Sequence, residues 1–407
     1  MLNKLIIRKG DFYLPNKSID LQKWATVACD QYSSQKEYWE TVDKIVGDSP
    51  STLRMIIPEC YLDEMSTRTT QIHNTMDEYL KSGVFASPFS GMILICRETS
   101  TGIRTGLLCT VDLEGYNYSP DSKSEIRPTE GTIAARIPAR LGVRQSATLE
   151  FSHVLMLLDD KKDLLFSSLR DKLDSLDLLY NFNLMQNGGN IKGYSVSKDS
   201  DLEEIDDILE TLFSNKKDGD ILLASGDGNH SLATAKAHWE QVKGTLNKSE
   251  LDSHPARYAT VEVMNLYENS LVFEPIHMVV FDKSVDEVIE LLGDATPVVD
   301  NTTPDIILVH NGEDLPLKFK TPKHDLPIGT IQTLFDSVDG LIEDHVHGEV
   351  SVRKLVKEHN AVGILLPALD KNILFSVVEH NGPLPRKTFS MGEADEKRYY
   401  IEGRRIK

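Results

Sequence analysis

At 407 residues the chain exceeds the size at which one hydrophobic core stops growing, so two domains, or one large core with an added lobe, are expected. An apolar share of 40% and a charged share of 26% describe a folded chain, and a net charge of −19 with no compensating basic run argues against a nucleic-acid partner. The four cysteines, Cys29, Cys60, Cys96 and Cys109, have no C-x-x-C spacing, no run of about 18 uncharged apolar residues offers a membrane span, and no export signal opens the sequence, so a reduced, cytoplasmic protein is expected.

Taken in order, Lys4 to Ile7 reads as a short strand, and the helix signal at Gln35 to Glu40 follows a cap at Ser33 or Ser34. Helical period returns from Tyr61 to Lys81. Two strand-like runs, Gly91 to Arg97 and Gly106 to Val111, flank Thr99-Ser100-Thr101-Gly102 and predict a hairpin. The unbroken apolar run from His153 to Leu158 has the pattern of a strand covered on both faces. Asn187-Gly188-Gly189-Asn190 is a tight turn, and Asp201 to Ser214 is an amphipathic helix. Strands are expected at Tyr258 to Met264 and Met278 to Phe281, with a helix from Val285 to Leu292. The polar stretch Asp300 to Asp305 marks the boundary between a core domain, 1–298, and a smaller C-terminal α/β lobe, 299–407. In that lobe strands are expected at Ile306 to Val309, near Ala361 to Leu366 and at Ile373 to Val378, with a helix from Thr330 to Val338. The fold class is mixed α/β.

The segment from Asp220 to Lys236 carries the functional signal. Ile221 to Ala224 reads as a buried strand, Ser225 to Asn229 as a sharp turn, and Ser231 to Lys243 as a helix anchored by Trp239. Strand, glycine turn and helix N-terminus follow in the order an anion site requires: uncapped N–H groups and the positive helix end face the turn, while Gly226 and Gly228 permit close approach and positive φ. Ser231 and Thr234 offer hydroxyl donors, His230 a hydrogen bond or a proton, and Asp227 a base or an Mg²⁺ ligand. No Walker motif is present, since Lys236 lies too far into the helix, so cations must come from elsewhere. The same spacing also suits a plain helix start capped by Asp227 or Asn229, with His230 packed beside it.

Gly226 to Ser231, together with Arg127-Pro128-Thr129-Glu130-Gly131-Thr132, Phe273-Glu274-Pro275-Ile276-His277 and the ending Leu384 to Ala394, resembles a bacterial subgroup of the family catalogued as domain of unknown function 1015, along essentially the whole chain. The family's loop commonly reads Asp-Gly-His-His-Arg and is similar to the phosphate-facing loop of the ParB/sulfiredoxin-like fold and its free-serine kinases. The resemblance therefore implies a ParB/sulfiredoxin-like core with large insertions and a nucleotide, ATP or ADP, with Mg²⁺. Asn229 and Ser231 stand here where histidine and arginine are usual, and Met278 follows His277 where arginine is common. Sulfiredoxin chemistry would need a cysteine in the loop, and none is there.

Arg127, Arg136, Arg140 and Arg144 concentrate positive charge in an acidic chain, and Arg127 and Arg136 are the chosen phosphate contacts; a solvated arginine face paired with nearby acids is the other reading. The resemblance also implies Glu130 as a general base and Asp30, in the position of the family's Pro-Tyr-Asp-Val turn, as a cleft residue. His345 and His347, with Asp344, make half a metal site. The segment from Pro385 to Glu393, followed by Lys397-Arg398-Tyr399-Tyr400, is expected to fold over the cleft or to close the C-terminal lobe. These readings describe an enzyme that transfers or hydrolyses phosphate on a nucleotide or small phosphorylated molecule, or else a non-catalytic protein that senses one.

Overall fold

A computed structural model describes residues 6–214, 216–217, 219–298 and 302–407. The expected strand from Lys4 and the boundary at Asp300 and Asn301 thus lie partly outside the described residues, within which Ile7–Arg8 is a short strand. Packing separates the chain into two units, Met1–Leu271 with Glu393–Lys407, and Val272–Gly392. The boundary expected at 298/299 falls inside the second unit. Strand Phe273–Val280 decides this, because its hydrogen bonds go to Glu343–His347, Val362–Leu365 and Phe389–Met391, all in that unit.

The larger unit is built on a mixed sheet. Its order runs from Ile126–Pro128 through Leu223–Asp227, Leu155–Leu158, Tyr258–Asn265, Gly102–Asp112, Phe89–Thr99, Gly10–Tyr13 and Gly403–Arg405 to Leu149–Phe151. The predicted hairpin forms, with Thr99 opposite Gly102. Strand Leu223–Asp227 runs parallel to Ile126–Pro128 and antiparallel to Leu155–Leu158. Both sheet faces are covered: Leu107, Cys109 and Val111 pack into one apolar cluster and Leu108 into another, as the two-residue period of a strand requires. The last residues of the chain return to this sheet, where Gly403–Arg405 pairs with both Phe12–Tyr13 and Leu149–Phe151.

The smaller unit carries a second sheet, ordered Ala295–Pro297, Glu313–Phe319, Ile306–His310, Val362–Leu365, Phe273–Val280, Glu343–His347. The strand expected at Ile373 to Val378 is instead helix Leu374–Asn381, because Leu374, Phe375 and Val378 are buried together at helical spacing; packing overrides the strand preference of Ile and Val. Near the start of the chain, helix Lys36–Val46 begins at Gln35 with no side-chain cap, so Ser33 and Ser34 do not serve as its cap. Among the described residues no helix is long and apolar enough to cross a membrane.

Candidate functional site

Strand Leu223–Asp227 runs further than its apolar residues suggest, through Ser225 and Gly226 to Asp227, with a register shift against Leu155–Leu158 at Gly226. Helix Asn229–Lys243 starts two residues earlier than expected, so the turn narrows to Gly228 alone. Gly228 takes φ 75°, and a Cβ there would stand 2.9 Å from Val154 Cα. Strand, glycine and helix are therefore welded against the link before Leu155–Leu158. Gly228 is the helix N-cap and contributes no side chain to the first turn, so neither Asp227 nor Asn229 caps this helix. Asn229 Oδ1 is buried without a hydrogen-bond partner among the described residues.

Asp227 faces a cation that its own sequence neighbourhood does not supply. Lys397 Nζ lies 3.3 Å from Asp227 Oδ2, and Asp227 Oδ1 accepts the Gly228 N–H at 2.8 Å. Both carboxylate oxygens are engaged, and among the described residues no group of three His, Cys, Asp or Glu side chains can hold a metal. The residues present do not fit an Mg²⁺ cage at Asp227, nor is His345 with His347 part of one.

Asp30 lies close enough to Lys397 for that ammonium to act on its carboxyl. His153 Nε2 lies 3.5 Å from Asp30 Oδ2, His153 Nδ1 is 2.7 Å from the Tyr400 hydroxyl, and that hydroxyl accepts the Cys29 N–H at 3.1 Å. Burial would raise the Asp30 carboxyl, but the charges of His153 and Lys397 and the Gln31 amide hold it below its ordinary value. Burial and Asp30 push the neighbouring Cys29 thiol up to about 12, which leaves it inert as a nucleophile.

His230 accepts the Ile133 N–H on Nε2 at 3.1 Å, which places the ring proton on Nδ1. Burial, then the charges of Arg140 and Arg136, depress it to about 4, so the ring is neutral at pH 7. Arg136 is exposed and Arg140 is ion-paired with Glu59. Other expected contacts go elsewhere. Arg127 is buried and donates to the carbonyls of Ser122 and Gly219, at the opposite end of the strand pair from Asp227, so it does not serve as a phosphate contact. The Thr234 hydroxyl donates back to His230 O at 2.7 Å, a helix-internal bond that removes it from the loop's donors. Glu130 is half-buried just after Thr129, whose N–H and hydroxyl both donate to Ser225 O. Ser231 is half-buried in the first helical turn.

Sequence reasoning missed His153 and Tyr400 as members of this group, named Arg140 only as part of the arginine run, and left Lys397 as a flanking residue. The available signal was a titratable side chain directly before the buried run Val154 to Leu158, and a lysine heading the aromatic pair Tyr399-Tyr400.

Residues 13–373 match the model of a family described as a protein of unknown function, DUF1015. The chain belongs to this family. No curated protein matches this DUF1015 chain. Among solved structures, it is similar to a free serine kinase in complex with AMP, at TM-score 0.41 and 8% identity over 74% of this chain and 92% of that one. Two further likenesses are to SbnI with a C-terminal truncation from Staphylococcus aureus, at TM-score 0.38 and 12% identity over 70% and 82% of the two chains, and to a conserved hypothetical protein from Pyrococcus furiosus, at TM-score 0.36 and 8% identity over 72% and 90%.

Proposed function

We propose that the turn at Gly228 and the first turn of helix Asn229–Lys243 bind the phosphate of a nucleotide or small phosphorylated metabolite, and that Asp30 serves phosphate transfer or hydrolysis there. The observation that carries this reading is Lys397 Nζ, 3.3 Å from Asp227 and buried beside an uncapped helix N-terminus. Helix amides and an ammonium together neutralise a doubly charged oxyanion, and partial burial strengthens both. Asn229 Oδ1, buried and unpaired, supports the reading: with the carboxamide rotated, its NH₂ would donate to the same anion.

In the reaction we assign, an acceptor oxygen attacks the bound phosphorus as the leaving oxygen departs, and the acceptor's proton passes to Asp30, which is ionised at neutral pH. His230, neutral with Nδ1–H, donates to a phosphate oxygen without adding charge. Asp227 orients Lys397 and fixes the Gly228 amide rather than acting as the base. A non-catalytic anion sensor is the second reading, favoured by the engagement of Arg127 away from the loop.

Calorimetry with ATP, ADP and inorganic phosphate, each with and without Mg²⁺, tests the site. The expected result is binding of at least one compound, weakened ~10–100-fold in Lys397→Ala, the loss of one charge-assisted contact of about 1.5–3 kcal/mol. No heat with any phosphate compound would remove the site. Binding without turnover would leave the sensor reading.

A further inference from the structure

In the larger unit an open cleft of about 570 Å³ lies among residues that take no part in the phosphate loop. Its lining is dominated by carboxamides, those of Gln22, Asn183, Gln186, Asn187 and Asn190, and Glu98 is its one charged member among the described residues. The turn that supplies much of this wall joins antiparallel strands Leu178–Asn183 and Asn190–Val196. Gln186 and Asn187 hold left-handed φ values of 53° and 62°, followed by Gly189 at 77°. Asn enters that region readily in turns, but Gln does so rarely, so at Gln186 the surroundings must hold the backbone, and such positions cluster at binding sites.

Here the surroundings are plain. Arg97, almost fully buried, donates twice to Gly188 O, at 3.1 and 2.8 Å, and the Tyr399 hydroxyl donates to Met185 O at 3.0 Å. A Cβ at Gly189 would stand 2.4 Å from Glu98 O, so the turn is also seated tightly on the neighbouring strand. Asn190 Nδ2 donates to Asn183 Oδ1 at 3.0 Å and fixes that pair. A rigid turn bearing amides of fixed orientation is preorganised for hydrogen bonding.

We propose that this cleft is a binding site for a neutral, polyhydroxylated small molecule. A hydroxyl both donates and accepts, and a carboxamide answers both roles; Glu98 can accept from two adjacent hydroxyls. The absence of a cation from the lining, among the described residues, selects against phosphates and carboxylates, and a single carboxylate among five amides selects against cationic ligands.

Saturation-transfer NMR of the full chain with D-ribose, D-glucose and myo-inositol, and with putrescine as the charged comparison, tests this directly. Transfer to at least one polyol is expected, with affinity reduced about tenfold in Asn183→Ala and in Asn187→Gly. Asn187→Gly also relaxes the left-handed backbone, so its melting temperature should hold or rise, which separates lost binding from lost folding. Transfer to none of the three polyols, transfer unchanged in both variants, or transfer to putrescine alone would overturn the proposal. Phosphate binding at Gly228 plays no part in the readout, so the two sites stand or fall separately.

Discussion

Lys397 and Asp227 are 170 positions apart by number yet share one ion pair, and what each does depends on the other. Lys397 is 8% exposed. Removing its charge leaves the Asp227 carboxylate as a half-buried anion at a helix N-terminus where a phosphate would sit, so Lys397→Ala should impair anion binding more than an exposed lysine would. If Asp227 is not the proton acceptor, any turnover by Asp227→Asn should keep its pH profile, and removing the carboxylate charge beside Lys397 should not abolish phosphate affinity. Asp30→Asn should instead abolish turnover with little change in affinity. Comparing kcat and KM across the two variants checks the assignment, and a turnover-dead Asp227→Asn with normal affinity would reverse the roles. Asp227, His230 and Asn229 were legible as candidates from their place between strand and helix, and Asp30 as a candidate from the family resemblance. His153 and Tyr400 were not, since their meaning comes from Asp30 and Cys29, far away in sequence.

At the scale of elements, the strand, glycine and helix around Gly228 were readable as a short unbroken apolar run, a glycine turn and a stretch of good helix formers. Their boundaries were not. Backbone pairing extends the strand to Asp227, since Ser225 pairs with Pro128 on one side and Met156 on the other, whatever its side chain prefers. Gly228→Ala places a Cβ at φ 75° and 2.9 Å from Val154 Cα, a combination that should cost on the order of 1–3 kcal/mol, visible as a lowered melting temperature, together with weaker anion binding. A variant as stable as the parent would show that this junction is not held as described. Trp239 anchors its helix as its sequence implied, fully buried with Nε1 donating to Glu114 Oε1 at 2.5 Å. The helix at Leu374–Asn381 shows the converse: an apolar run with strand-forming residues does not choose between strand and helix on its own, and burial of one helical face makes the choice.

At the scale of the molecule, buried charge ties the end of the chain into the larger unit. Arg398 pairs with Glu262 and Glu402, and Arg404 with Glu150, all buried. Deleting residues 399–407 removes Gly403–Arg405 from between two strands and strands Glu150 without Arg404, so the truncated chain should lose cooperative melting, as read by near-UV circular dichroism. The same burial sets an acid limit. His238, nearly inaccessible, is held neutral, depressed from 6.5 to about 4 by burial and then by Arg144 and Lys407. The unfolded chain takes up this proton first, so stability present above pH 6.5 should fall as pH drops towards 4. Glu150 adds a second limb: burial would raise it, but Arg404 and Arg144 bring it from 4.5 to about 2, so its contribution, complete above pH 4.5, is lost between there and pH 2. Melting temperatures across this range should show both limbs, and His238→Gln should flatten the first; an unchanged profile would contradict the burial of a neutral ring. The sequence by itself determined the mixed α/β class, the strand, glycine and helix junction at Gly228 and the acidic field, because each is written in local apolar pattern, glycine placement or total charge. Only the tertiary structure decided where the units divide, which arginine is withdrawn and which lysine faces Asp227, because those depend on hydrogen bonds and ion pairs between segments that no local pattern connects.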